Sequence, residues 1–113
     1  MATTPSQTDL LILTMLTAGE RHGYGIRQDV TEHTDGRVRL EAGNLYRAIG
    51  RLLDDGLIEE SARRPAAALD DERRRYYRLT AHGKRILAEE MGRLRALVRF
   101  AEAHKLIVPE RGR

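Results

Sequence analysis

The sequence predicts a mainly α-helical fold with a small β-hairpin and a long C-terminal helix, and three patterns carry that prediction. Between Gly43 and Asp55, Leu45, Ile49, Leu52 and Leu53 recur at i, i+4, i+7 and i+8, the spacing of one apolar stripe on a helix. After Gly56 the runs LIEESA and RRYYRLT alternate as strands do, with Tyr77 and Leu79 on one face and Tyr76 and Arg78 on the other. Near the end, Leu87, Met91, Leu94, Val98 and Ala101 follow spacings of 4, 3, 4 and 3, an a/d seam. A chain of 113 residues supports one domain with a single modest core.

Taken in order, residues 1–7 read as a flexible leader, with Ser6 or Thr8 placed to cap the helix that follows. That helix, roughly Thr8 to Thr17, is apolar on nearly every side through Leu10, Leu11, Ile12, Leu13, Met15 and Leu16. A helix apolar all round is buried on more than one face, which in so small a protein implies cover from a partner subunit. Ala18 to Arg21 reads as a turn, and residues 22–34 as a second short helix with Ile26 and Val30 one turn apart. Tyr24, flanked by Gly23 and Gly25, is either a core tyrosine or one whose hydroxyl reaches a phosphate at the mouth of that helix. Residues 37–40, RVRL, read as a minimal strand before the central helix, which Gly56 stops by supplying the left-handed C′ conformation. Between the two later strands, RRPAAALDDER has too little apolar mass to pack and forms a protruding tip. Thr80 caps the final helix, expected over 81–107, and Pro109 begins a frayed tail over 108–113.

The charge distribution says more than the net +3. Residues 1–60 carry six Arg against ten Asp and Glu, whereas 61–113 carry fourteen Lys and Arg against seven acids. On the central helix, Asn44, Arg47, Gly50, Arg51 and Asp54 point away from the apolar stripe, and Arg47 and Arg51 lie one turn apart. Arg63, Arg64, Arg73, Arg74, Arg75 and Arg78 flank or enter the hairpin. Arginine outnumbers lysine eighteen to two, which suits bidentate phosphate and guanine contacts, although a GC-rich genome produces the same bias.

Catalytic and metal chemistry finds no foothold in these patterns. Cysteine is absent, and His22, His33, His82 and His104 are scattered without a ligand spacing. The acids occur mostly as neighbours, which diverge by about 100° on a helix and form no local dyad. Gly23 and Gly25 do not open a dinucleotide fingerprint, because the third glycine would fall on Gln28. The longest apolar run, Leu10 to Leu13, falls far short of the roughly 20 residues that cross a bilayer. The expectation is a soluble cytoplasmic protein, not an enzyme, with no cofactor and no metal.

The order helix, helix, short strand, helix, hairpin, long helix matches a winged helix-turn-helix over 8–80, joined to a C-terminal dimerisation helix over 81–107. LLILTMLTAGERHGYGI, GNLYRAIGRLLDDGLIEE and RRRYYRLTAHGKRIL closely resemble the PadR family of transcriptional regulators, over about residues 8–105. Gly43, Asn44, Leu45, Tyr46, Leu52, Gly56, Leu57 and Ile58 fill the family's pattern around the recognition helix, and Tyr76, Tyr77, Leu79, Thr80 and Gly83 fill the later one. The chain departs from it with Asn44 where many members have Ser or Thr, and Arg47 where Pro is frequent. The resemblance is to the short subfamily, in which the last helix and the first build a dimer.

That resemblance and the residue patterns together give a homodimeric repressor on double-stranded DNA, bound to an inverted-repeat promoter site. Tyr24, Asn44, Tyr46, Arg47, Arg51, Arg63, Arg64, Arg73, Arg74 and Arg75 are the expected DNA contacts, with Tyr46 on phosphate. Leu10, Leu13, Leu87, Met91, Leu94, Val98 and Ala101 are the expected dimer contacts. Release by a small apolar effector is part of the reading, but no residue is assigned to it. Some short members bind flat aromatic drugs through tryptophan, which this chain lacks; Phe100 and Met15 could line an apolar pocket, but packing is the commoner use of such residues. The rival is a winged-helix protein-interaction module without DNA binding, which the acidic first half permits.

Overall fold

The structure is a computed structural model and describes residues 4–61 and 75–106. The first helix, α1 (Gln7–Met15), begins at a reciprocal cap. Ser6 Oγ accepts from the Asp9 N–H at 3.1 Å while the Asp9 carboxylate accepts from the Ser6 N–H at 3.2 Å, so Ser6 rather than Thr8 caps the helix. A 3-10 turn (Leu16–Ala18) follows, then β1 (Arg21–His22), α2 (Gly23–His33), α3 (Ala42–Asp54), β2 (Ile58–Glu60), β3 (Tyr76–Leu79) and α4 (Ala81–Ala103).

The three strands form one antiparallel sheet in the order β1-β3-β2, with Ile58 opposite Leu79, Glu59 opposite Arg78, and His22 opposite Tyr76. Two expectations change here. Arg21, expected in a turn, enters β1, so the hairpin is joined by a third strand. Arg37 to Leu40, expected as a strand, pairs with none among the described residues. Asp35 (φ 54°) and Gly36 (φ 77°) turn the chain back along α2, where the Val38 N–H donates to Thr34 Oγ1 at 3.0 Å and Arg27 Nε donates to the Leu40 carbonyl at 2.5 Å. With these backbone groups satisfied by α2, the segment has less need of a neighbouring strand.

The core gathers Ile12, Leu13 and Leu16 from the first helix and its 3-10 turn, Ile26 and Val30 from α2, and Leu45, Ala48, Ile49 and Leu52 from α3. Ile58, Tyr77 and Leu79 close it from the sheet, and Leu87 from α4. Leu53 is 36% exposed and leaves the predicted stripe, because at about 100° per residue it lies at the stripe's margin; Ala48 takes the interior place instead. The last turn of α3 closes as the glycine stop requires. Gly56 sits at φ 73°, its N–H bonds to the Leu53 carbonyl at 3.1 Å, and the Leu57 N–H bonds to the Leu52 carbonyl at 3.0 Å.

The start of α4 is fastened to that same turn. Thr80 donates its N–H to the Leu57 carbonyl at 3.1 Å and its hydroxyl to the Gly56 carbonyl at 2.6 Å, while Thr80 Oγ1 accepts from the Gly83 N–H at 2.9 Å. A Cβ at residue 83 would lie 1.9 Å from the Leu57 carbonyl oxygen, so only glycine allows this approach. At its far end α4 stops at Ala103, not at 107. Lys105 turns left-handed (φ 64°) and the Leu106 N–H returns to the Ala101 carbonyl at 3.0 Å, closing the helix before Pro109 is reached.

The two ends of α4 differ in environment. Leu87 is enclosed and Met91 packs against the core, but Leu94, Leu97, Val98 and Phe100 are 38%, 66%, 46% and 66% exposed. Leu13 (0% exposed) and Leu87 (5%), expected between chains, are therefore interior residues of a single chain with almost no surface to offer a partner. Leu10 is half-buried against the core and Ala101 half-buried on α4.

The close approach at residue 83 gives a direct test. Gly83→Ala should destabilise the fold by about 1 to 3 kcal/mol, because backbone must move to admit the methyl. Gly50→Ala, whose Cβ meets nothing within 4 Å, should be neutral or stabilising by up to about 1 kcal/mol. Equal denaturant midpoints for the two variants would remove the argument.

Candidate nucleic-acid interface

With its apolar side in the core, α3 holds Asn44, Arg47, Arg51 and Asp54 in solvent on the opposite side. The two arginines are held differently. The Arg47 guanidinium donates to the Asn44 side-chain carbonyl one turn earlier. Arg51 Nη2 instead reaches back to the first helix and donates to Asp9 Oδ1 at 2.9 Å, with the arginine side chain 56% exposed and the aspartate 14%. Sequence reasoning missed Asp9. Nothing local to Asp9 points to a residue 42 positions away.

Tyr46 joins α3 to the start of α2. It is half-buried, and a Cβ on Gly23 would come within 2.7 Å of its hydroxyl, so the first turn of α2 is glycine where the ring lies. His22 caps that turn, Nδ1 accepting from the Gly25 N–H at 2.9 Å. Its ring meets Tyr76 edge-on at 5.4 Å, which ties the start of α2 to β3. Tyr24 is 54% exposed, so it is a surface tyrosine and not a core one. With Arg27 and Arg39 it borders an open groove of about 360 Å³ along α2. The structure thus places an exposed tyrosine on the α2 turn that Tyr46 touches from α3.

On the sheet, positive charge is largely matched. Arg78 lies 2.8 Å from Glu59 and 3.5 Å from Glu20, and its pKa is pushed above the ordinary arginine value by the hydrogen bond to Glu59 first and by the charges of Glu59 and Glu20. Arg75 lies 3.6 Å from Glu60, and Arg21 lies 3.2 Å from Asp29. Arg63, Arg64, Arg73 and Arg74 lie outside the described residues. Among the described residues no group of three or more His, Cys, Asp or Glu side chains could hold a metal ion, and no helix is long and apolar enough to cross a membrane.

Residues 12–89, from the middle of α1 to the first half of α4, match the model of the transcriptional regulator PadR-like family. The chain belongs to the PadR-like family. Solved structures agree with that placement. The chain superimposes on a PadR family transcription regulator from Clostridium difficile with a TM-score of 0.73 and 26% identity, over 88% of this chain and 98% of that one. It is similar to Bacillus subtilis PadR, solved in complex with operator DNA, with a TM-score of 0.65 and 25% identity over 75% of this chain and 46% of that one. It is also 31% identical, over 72% of each chain, to an uncharacterised protein of Lysinibacillus sphaericus. In this PadR-like chain the three-stranded sheet and the long last helix are those of the family's winged-helix fold.

The Gly23–Tyr46 contact should be visible as non-additivity. Gly23→Ala should displace the Tyr46 ring and lower stability by about 1 to 3 kcal/mol. With Tyr46→Ala already made, the same glycine change should cost markedly less. Additive losses in urea unfolding would mean that the two residues do not constrain each other.

Proposed function

We propose that this chain is a sequence-specific DNA-binding regulator that acts as a homodimer, a repressor occupying an inverted-repeat promoter site. The observation that carries the reading is the outer face of α3. Among the described residues, Arg47 hydrogen-bonds only to a neutral amide, on a helix held rigidly by Leu45, Ala48, Ile49 and Leu52. A helix of this kind can enter the major groove, with Arg47 and Arg51 on base edges and Asn44 beside them. Tyr46 and Tyr24 then serve as phosphate contacts that set register without reading sequence. Arg75 and the hairpin arginines Arg63, Arg64, Arg73 and Arg74 follow the backbone in this reading. The complex of the similar Bacillus subtilis protein with operator DNA supports it.

The dimer part rests on the outer half of α4. Leu94, Leu97 and Val98 present neighbouring large apolar groups at helical spacings of three and four, more than a solvated helix end needs, and a second copy of the same helix would cover them. Two-fold pairing would then set two α3 helices on one side, with half-sites about one helical turn, or a multiple of it, apart.

Two experiments test this. A duplex selected from a randomised pool by the protein should lose about 1 to 3 kcal/mol of binding with Arg47→Ala, while binding to a scrambled duplex falls less. Failure of the folded protein to select any duplex would leave the protein-interaction module in place of a DNA-binding one. For the dimer, Leu94→Asp or Leu97→Asp alters surface that is exposed in the single chain, so the domain should stay folded and sediment as a monomer. A parent already monomeric at micromolar concentration would remove both the dimer and the palindrome.

A further inference from the structure

We infer that Asp9 is a positioning residue for DNA reading, holding the Arg51 guanidinium at the angle from which it meets a base edge. The inference rests on the DNA-binding reading above and extends it to a residue on a different helix. Asp9 is itself fixed. Its Oδ2 accepts from the Ser6 N–H at 3.2 Å within the cap of α1, which leaves Oδ1 turned to Arg51 Nη2 at 2.9 Å. The carboxylate is mostly covered, 14% exposed, whereas the arginine is 56% exposed. The arginine is thus anchored at one nitrogen and open at the rest. A guanidinium carries five N–H donors in a rigid fork, so one bond to Asp9 leaves donors free for a bidentate contact.

The pair does little for stability, because an ion pair with one partner more than half exposed is screened by water. Its value lies in orientation. A long flexible side chain loses freedom on meeting DNA, and a side chain already held loses less. Arg47, by contrast, is steadied by Asn44 from within its own helix. The two arginines of one face are therefore set from different sources, and the first turn of α1 becomes part of the reading surface without touching a base.

Asp9 also carries negative charge toward a polyanion, so the simplest electrostatic expectation runs the other way. A mere brake would make Asp9→Asn bind all DNA more tightly. The test uses the full chain and two probes, a duplex selected from a randomised pool by the parent and its scrambled counterpart, at one salt concentration. Asp9→Asn should lower the ratio of selected to scrambled affinity by at least about fivefold, the lower end of a lost base contact, with scrambled affinity unchanged or raised. In an Arg51→Ala background Asp9→Asn should leave the ratio unaltered. Ser6→Ala, which removes the hydroxyl of the cap but keeps the Asp9 carboxylate, should lower the thermal midpoint and preserve the ratio.

Three results would overturn the inference: an unchanged ratio in Asp9→Asn, a rise in both affinities together, or a fall in both by one factor, which marks a merely structural role. If the folded parent selects no duplex, the DNA-binding reading falls and this inference with it. If the parent selects and Asp9→Asn matches it, the inference alone fails.

Discussion

The close approach of Gly83 to the Leu57 carbonyl is the constraint on which the rest of the architecture hangs. At that point the end of α3, the start of β2, the end of β3 and the start of α4 meet, and Thr80 bonds to backbone groups from both Gly56 and Leu57. Because Leu52 and Leu57 are buried together across the same turn, the direction in which α3 leaves the core is set by packing and hydrogen bonding at once. The outer face of α3 is rigid for that reason.

Sequence periodicity read the parts of this arrangement whose signals are local. The stripe of Leu45, Ile49 and Leu52, the Gly56 stop, the Thr80 cap and the shared face of Tyr77 and Leu79 all follow from spacing within one element, and each is where spacing puts it. What spacing could not supply came from elsewhere in the chain. Arg21 and His22 form a strand only because Tyr76 and Tyr77 lie beside them, and two residues have no period to read. Arg37 to Leu40 had the composition of a strand but not the neighbour. Helix propensity alone disfavours a glycine at 83, and only the Leu57 oxygen shows why one is needed there. At the site, Asn44 and Arg47 were legible from helical geometry, whereas the hold of Asp9 on Arg51 crosses from one helix to another.

The acidic balance of the first half also has a structural answer. Read as a total, ten acids against six arginines over residues 1–60 argue against a polyanionic partner. In space, Asp9, Asp29, Glu20, Glu59 and Glu60 are spent on particular arginines: Arg51, Arg21, Arg78 and Arg75. Much of the apparent acidity is internal pairing, and what faces outward from α3 is not the average of the sequence around it.

The two environments of α4 make it a lever. Its first turns are clamped at Thr80 and Gly83, while its outer turns stand clear of the core in a molecule 54 Å long and 33 Å across. Twenty-three helical residues span roughly 35 Å, so a tilt of about 5° at the clamp carries the far end through about 3 Å. A rotation that is small at Thr80 and Gly83 is therefore a displacement of atomic dimensions at Leu97 and Val98.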